Sequence, residues 1–371
     1  MDKIHFYRGT YTDGKLFSHN IRDFKYGGLN YNFFSPSARW NETPFTGIRF
    51  AEPRETFNSS YYTLLNKNTV SGLNIEEYAK ELRAALIRYW FSVLDENEKY
   101  ICFHSGGYDS RIISLTLMEV RNMGYDNLTR NIHFRCHQPE EPMFLEIMKR
   151  QGWDKSQYSV YEGPREDYYD IGRMDRPMNG WQHYNQQMNF WSDIAPNENE
   201  WIVISGLGGE MFKYLGVGVE PLNIRVENKN LNLLIDHYPN EGQWEGYWRT
   251  LFKELLMPFW SYEYLSVSTQ ANPILCEFSD GEDTVRCAVV ESFIGTHGID
   301  CRNIEYGRHD YSWNISDGRK KDMVDAFYAS QFYNNHKDIM PDSLDFFSTH
   351  PDRWYVDSYL WGLMTCYEKM I

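Results

Sequence analysis

The tightest constraint on this chain is the change of pattern between Tyr100 and Met118. Ile101, Cys102 and Phe103 form a continuous apolar run, the mark of a short buried strand. Ile112, Ile113, Leu115, Leu117 and Met118 recur with the spacing of a helix that buries one face. Between them lies a turn of small, polar and acidic residues, Ser105 to Ser110. A strand that enters a helix through a glycine turn gathers backbone N–H groups at a helix N-terminus, which carries partial positive charge. That is the geometry of an anion site. Gly106 and Gly107 let the backbone curl, and Ser105 and Ser110 add hydroxyl donors.

Asp109 stands out in such a turn. A carboxylate beside a bound phosphate is repulsive unless a cation lies between them, so the residues point to a magnesium–polyphosphate complex with Asp109 on the metal. The turn lacks the Gly-x-x-x-x-Gly-Lys-Ser/Thr spacing of a Walker loop. Read without a ligand, it is a solvated polar turn.

Ser105-Gly106-Gly107-Tyr108-Asp109-Ser110 resembles the pyrophosphate loop of the ATP pyrophosphatase superfamily, which includes the asparagine synthetases, beta-lactam synthetases, GMP synthetase and NAD synthetase. A second stretch, Ser205-Gly206-Leu207-Gly208-Gly209-Glu210, follows the apolar run Trp201 to Ile204 and resembles the second signature of asparagine synthetases, Ser-Gly-Glu-Gly-Ala/Ser-Asp-Glu. The resemblance covers about residues 74 to 330. It implies ATP and magnesium as ligands, with Ser105, Gly106, Gly107, Asp109, Ser110, Ser205, Gly206 and Gly208 around the phosphates. The backbone at Cys136 would meet the adenine, and Asp109 and Glu210 would bind the metal. Gly318-Arg319-Lys320-Lys321-Asp322-Met323-Val324-Asp325-Ala326-Phe327 resembles the segment with the family's catalytic lysine. Aligning its Ala-Phe places that lysine at Lys320, with Lys321 and Arg319 as fallbacks; a solvated basic cluster at a helix start is the competing reading.

Two departures bear on the chemistry. Glu210 replaces the family's metal-binding aspartate and is one methylene longer. Leu207 replaces the glutamate placed to assist the attacking nucleophile, so a different nucleophile, or a base from Glu140, Glu141 or His104, is implied. The family's glutaminase domain is not expected. Its nucleophilic cysteine follows the initiator methionine, whereas Asp2 holds that place here and Cys102 is the first cysteine.

The net charge of -15 argues against a nucleic-acid backbone as partner. The chain has no apolar run long enough for a bilayer and no signal-peptide pattern. None of the six cysteines forms a Cys-x-x-Cys pair. Reduced, buried thiols and a cytoplasmic location are the expectation. Aromatic residues reach 17%, enough to line a pocket for a flat substrate, though an aromatic-rich core accounts for them as well.

Taken in order, residues 1–72 read as a β-rich appendage, with strands at Lys3 to Tyr7, Leu29 to Phe34 and Tyr61 to Leu65 and a hairpin turn around Asp13 and Gly14. Residues 73–330 read as the synthetase-like domain and 331–371 as a helical extension packed on it. A capping box at Asn74 and Glu77 opens a helix over 74–94. Strands follow at Ile132 to Cys136, Gln157 to Tyr161 and Trp201 to Ile204, with a helix from Met143 to Gln151. The alternation predicts an α/β fold, a doubly wound parallel sheet of Rossmann-like, PP-loop ATPase form. Trp244 to Leu256 reads as a helical aromatic stripe, and Thr284 to Ile294, Asp322 to Phe332 and Trp354 to Ile371 as further helices. The last is a candidate for homo-oligomer contacts.

The expected activity is an ATP-dependent, AMP-forming ligase joining a small-molecule carboxylate to ammonia or an amine, with ammonia supplied by a separate glutaminase or another source. Two alternatives stand beside it. One is activation of a carbonyl or carboxylate on a nucleobase-like heterocycle; the other is a degenerate domain that binds nucleotide without turnover.

Overall fold

The computed structural model describes residues 10–18, 21–25, 27–30, 43, 45–51, 73–137, 140–161, 198–206, 252–268, 284–304, 317–339, 364, 367, 368 and 371. Helix α1, Ile75–Val93, starts where its caps dictate. The Asn74 side chain accepts from the Glu77 N–H at 3.0 Å, and the Glu77 carboxylate accepts from the Asn74 N–H at 3.1 Å. Its stripe of Tyr78, Ala79, Leu82, Ala85, Leu86, Tyr89, Trp90 and Val93 is buried, as the helical spacing requires.

The core is a five-stranded parallel sheet made of β4 (Lys99–Phe103), β5 (Ile132–His137), β6 (Tyr158–Tyr161), β7 (Trp201–Ile204) and β8 (Glu254–Leu256). In space the order is β6-β5-β4-β7-β8. The chain steps outward from β4 to β6, then returns to the other side of β4. The direction of winding therefore reverses between β4 and β7, where Ile101 pairs with His133 on one side and Val203 on the other. Tyr100 to Phe103 are all at least nine-tenths buried, so both faces of β4 are covered, the condition under which parallel strands are stable.

Helices α2 (Tyr108–Asn122), α3 (Asp126–Thr129) and α4 (Glu141–Arg150) connect the first three strands; α5 (Tyr262–Ser268) and α6 (Thr284–His297) follow β8. α1, α2, α5 and α6 pack together. The Trp90 indole N–H donates to Thr116 Oγ1 at 2.8 Å across α1 and α2. Arg83 ties three helices: it pairs with Glu119 of α2, donates to the Ser292 carbonyl of α6 at 2.8 Å, and lies over the Phe293 ring.

Near the N-terminus, β1 (Tyr11–Thr12), β2 (Phe17–Ser18) and β3 (Arg49–Phe50) form a small antiparallel sheet in the order β2-β1-β3. The expected turn is there: Asp13 Oδ1 accepts from the Lys15 and Leu16 N–H groups, and Gly14 takes φ +88°. Leu29 makes an isolated bridge to Phe45. The strands expected at Lys3 to Tyr7 and Tyr61 to Leu65 lie outside the described residues, as does 31–34.

Two expected helices are corrected. Within the stripe from Trp244 to Leu256, Glu254–Leu256 is strand β8, and residues 244–251 lie outside the described set. Leu255 and Leu256 are neighbours in sequence and both buried. A strand covered on both faces accommodates that, and pairing with β7 satisfies its backbone. The helix expected over Asp322 to Phe332 is two, α7 (Asp317–Ala329) and α8 (Gln331–His336). Ser330 divides them because its hydroxyl accepts from the Tyr333 N–H and caps α8. Tyr367 and Glu368 of the last stretch, described as helical, pack on α8 through the Phe332 ring and the Phe332 N–H. Among the described residues no helix is long and apolar enough to cross a membrane.

Candidate functional site

The turn after β4 lies at the reversal of winding, the place in an open parallel sheet where connections diverge and leave a crevice. The His104 N–H donates to the Arg135 carbonyl at 2.8 Å and carries the β4–β5 pairing one residue past the strand. The chain then turns sharply, with Gly106 at φ +71°. A side chain there is strained by that left-handed backbone, and its Cβ would displace the end of the Met143 side chain, 2.6 Å away at Cε.

Small groups hold the turn's donors. The Gly106 N–H donates to His104 Nδ1 at 3.0 Å, the Gly107 N–H to Ser105 Oγ at 3.3 Å, and the Ser105 N–H to Ser110 Oγ at 3.2 Å. The two serine hydroxyls lie 3.1 Å apart. α2 then begins behind Gly107, an N-cap with no side-chain cap bond. The Ser105, Gly106 and Gly107 N–H groups are thus engaged within the turn, which leaves the start of α2 and the two serine hydroxyls as the donors that suit a phosphate chain.

His104 belongs to the scaffold of this turn. Its Nδ1 accepts from Gly106, which leaves the proton on Nε2, 3.1 Å from Ser114 Oγ. Burial, and then the Arg111 charge, hold its pKa down to about 3. A neutral imidazole with its acceptor already engaged is not a base for the reaction, which removes His104 as a substitute for the glutamate replaced by Leu207. His133, at the other end of β5, meets Ser159 Oγ at 2.8 Å and is also held neutral, mainly by burial.

Arg111 is wholly buried beneath the turn. Its Nε donates to the Gly106 carbonyl at 2.7 Å, Nη1 to the Cys301 carbonyl at 2.6 Å and Nη2 to the Ile304 carbonyl at 3.1 Å. It joins the turn to the segment after α6.

A cation of the chain itself stands beside Asp109. Arg286 Nε of α6 lies 2.9 Å from Asp109 Oδ1. The arginine side chain is 7% exposed and the carboxylate 25%. Tyr264 of α5 is buried nearby, its hydroxyl pushed well above the usual tyrosine range by burial, then by the Tyr78 hydroxyl and the Asp109 charge.

The second motif comes to the same place. Ser205 is buried, and its N–H donates to the Leu256 carbonyl at 3.0 Å. A Cβ on Gly206 would lie 3.8 Å from Ser110 Oγ and 4.0 Å from Asp109 Cβ. The structure thus brings Ser105, Gly106, Gly107, Asp109, Ser110, Ser205 and Gly206 together. Leu207, Gly208, Gly209 and Glu210 lie outside the described residues. Cys136 is buried at the carboxyl end of β5, opposite Val160, and Glu140 is buried just before α4. Lys320 lies in the first turn of α7, with its side chain outside the described set, and Lys321 is exposed.

Among the described residues no group of three His, Cys, Asp or Glu side chains gathers to hold a metal. Magnesium bound with a polyphosphate needs only one or two carboxylates, so Asp109 with the phosphate oxygens fits such an ion. Arg111 and Arg286 were not picked out from the sequence. The signal for Arg286 was its position inside the apolar run Val285 to Val290, where a lone cation calls for a buried partner. Compared with models of known protein families and with curated proteins, the chain matches none.

Proposed function

We propose that this chain is an ATP-dependent, AMP-forming ligase, with a doubly wound sheet of the ATP pyrophosphatase kind. The observation that carries the proposal is the meeting of the glycine turn Ser105–Ser110 with Ser205 and Gly206, which directly follow β7, at the reversal between β4 and β7. One turn at a helix start is common; a second Ser-Gly pair, brought against it at Ser110 by the adjacent strand, is the support for a cradle.

A carboxylate is a poor acyl donor because its leaving group would be oxide. In the proposed reaction a carboxylate oxygen attacks the α-phosphorus of ATP. The bond from that phosphorus to the bridging oxygen breaks, and pyrophosphate leaves with the electron pair. The nitrogen of ammonia or an amine then adds to the acyl carbon, loses a proton and expels AMP. Ser105, Gly106, Gly107, Ser110, Ser205, Gly206 and Gly208 would line the departing pyrophosphate, with the serine hydroxyls and the N–H groups at the start of α2 as its donors. The end of β5 at Cys136 would receive the adenine. Lys320 would stabilise charge in the acyl-transfer step. Magnesium, drawn to Asp109 and Glu210, would spread the charge of the polyphosphate.

The Asp109–Arg286 pair favours a second reading as well, nucleotide binding without turnover, since the carboxylate is already neutralised. Product analysis decides between them. Wild type incubated with ATP, magnesium, ammonium and a panel of carboxylates is expected to give AMP and pyrophosphate, and Asp109→Ala to give none. ADP and phosphate, or undiminished AMP from the variant, would refute the ligase reading. Bound ATP with no turnover across the panel would favour the second.

A further inference from the structure

Asp109 lies in the first turn of α2, next to the donors of the glycine turn. Alone, its charge would oppose any anion bound there. The partner that removes this opposition is Arg286, which reaches in from α6, a helix packed on α1 and α2. Its burial matters. A guanidinium 7% exposed is weakly screened, is always protonated, and is held where it is by the helix that carries it. A carboxylate and a guanidinium at 2.9 Å sum to no net charge, so the rest of the cradle keeps its positive character. Arg111 adds to it from beneath, through the Gly106 carbonyl.

We propose that Arg286 is the resident counter-ion of Asp109 and that it lets this turn accept a polyphosphate in the absence of any metal ion. The proposal rests on the reading of the turn as a pyrophosphate site. It assigns Arg286 as a positioning residue that acts through Asp109, and it separates two roles given to one cation: the protein neutralises the carboxylate for binding, and magnesium serves the later transfer.

The test is calorimetric titration of the full chain with inorganic pyrophosphate, in chelator and then in magnesium, for wild type, Arg286→Gln, Asp109→Asn and Asp109→Asn/Arg286→Gln. Wild type is expected to bind in chelator. Arg286→Gln should bind about tenfold to a hundredfold more weakly there, the scale of a lost ion pair that leaves a partly buried carboxylate without its counter-charge. The double variant should recover most of that loss, because the opposing charge has gone with its partner. A purely structural pair would show its loss and its recovery in the denaturation midpoint and leave the affinity of the folded molecules unmoved. Circular dichroism and a denaturation midpoint for each variant keep misfolding apart from lost affinity, and the wild-type arm needs no variant. Wild type that binds pyrophosphate only with magnesium would overturn the Arg286 proposal and leave the ligase reading standing. Wild type that binds neither pyrophosphate nor ATP in either condition would overturn the ligase reading itself. A double variant no better than Arg286→Gln would overturn the counter-ion role.

Discussion

His104 illustrates how a titratable residue at a candidate site serves the backbone instead of the chemistry. Its folded pKa of about 3 lies below the ordinary 6.5, with burial as the main cause. Between those values the unfolded chain binds a proton that the folded chain refuses. The stability that depends on neutral His104 is therefore complete above about pH 6.5 and lost as pH falls, at roughly 1 kcal/mol per unit. His104→Asn keeps an acceptor for the Gly106 N–H but removes the titration. Urea denaturation at about pH 7 and about pH 5 should show a smaller acid loss in the variant than in wild type. Equal losses would mean that the imidazole is not the group refusing the proton. The role was hidden in the sequence. His104 stands next to Ser105 like a catalytic residue, and only the hydrogen bond from Gly106 shows which of its nitrogens is engaged.

At the scale of elements, the link that matters joins the turn before α2 to the segment after α6. Arg111 makes it, through carbonyl oxygens of Gly106, Cys301 and Ile304. Arg111→Met would leave two buried carbonyls and one half-buried carbonyl without their donor, for a loss of about 3 kcal/mol in unfolding free energy. Arg111→Lys should recover little, since one ammonium cannot reproduce the planar fork. An unchanged denaturation midpoint in Arg111→Met would refute the clamp. Most elements were legible because their signals are local: the Asn74–Glu77 capping box, the stripe of α1, the apolar runs of β4, β5 and β7. β8 was not, because Leu255 and Leu256 fit either a helical stripe or a doubly covered strand, and only pairing with β7 decides. The break at Ser330 had a visible cap residue, but the apolar spacing ran on across it.

At the scale of the whole molecule, strand order makes the site. The two glycine motifs were each legible in the sequence; the contact of Gly206 with the first was not, because it depends on β7 returning to lie beside β4. Gly206 is where the contact can be tested. An added methyl would find ordinary van der Waals distances, 3.7 Å to Ile113 Cδ1 and 3.8 Å to Ser110 Oγ, so Gly206→Ala should keep nucleotide binding. Gly206→Leu would drive a branched side chain between the turns and should abolish binding in a chain that still folds, as read by calorimetry and circular dichroism. Binding that survived in the leucine variant would place the ligand elsewhere. The buried arginines also set up two opposed electric fields. The chain carries a net charge of -15, so its long-range field repels anions. Arg111, wholly buried and screened little by solvent, opposes that field close to the turn. A long polyanion meets mainly the outer field, whereas a compact anion small enough to enter the crevice meets the inner one. On the proposed reading, such a placement of charge would favour a compact anion over a long one before any side chain touches it.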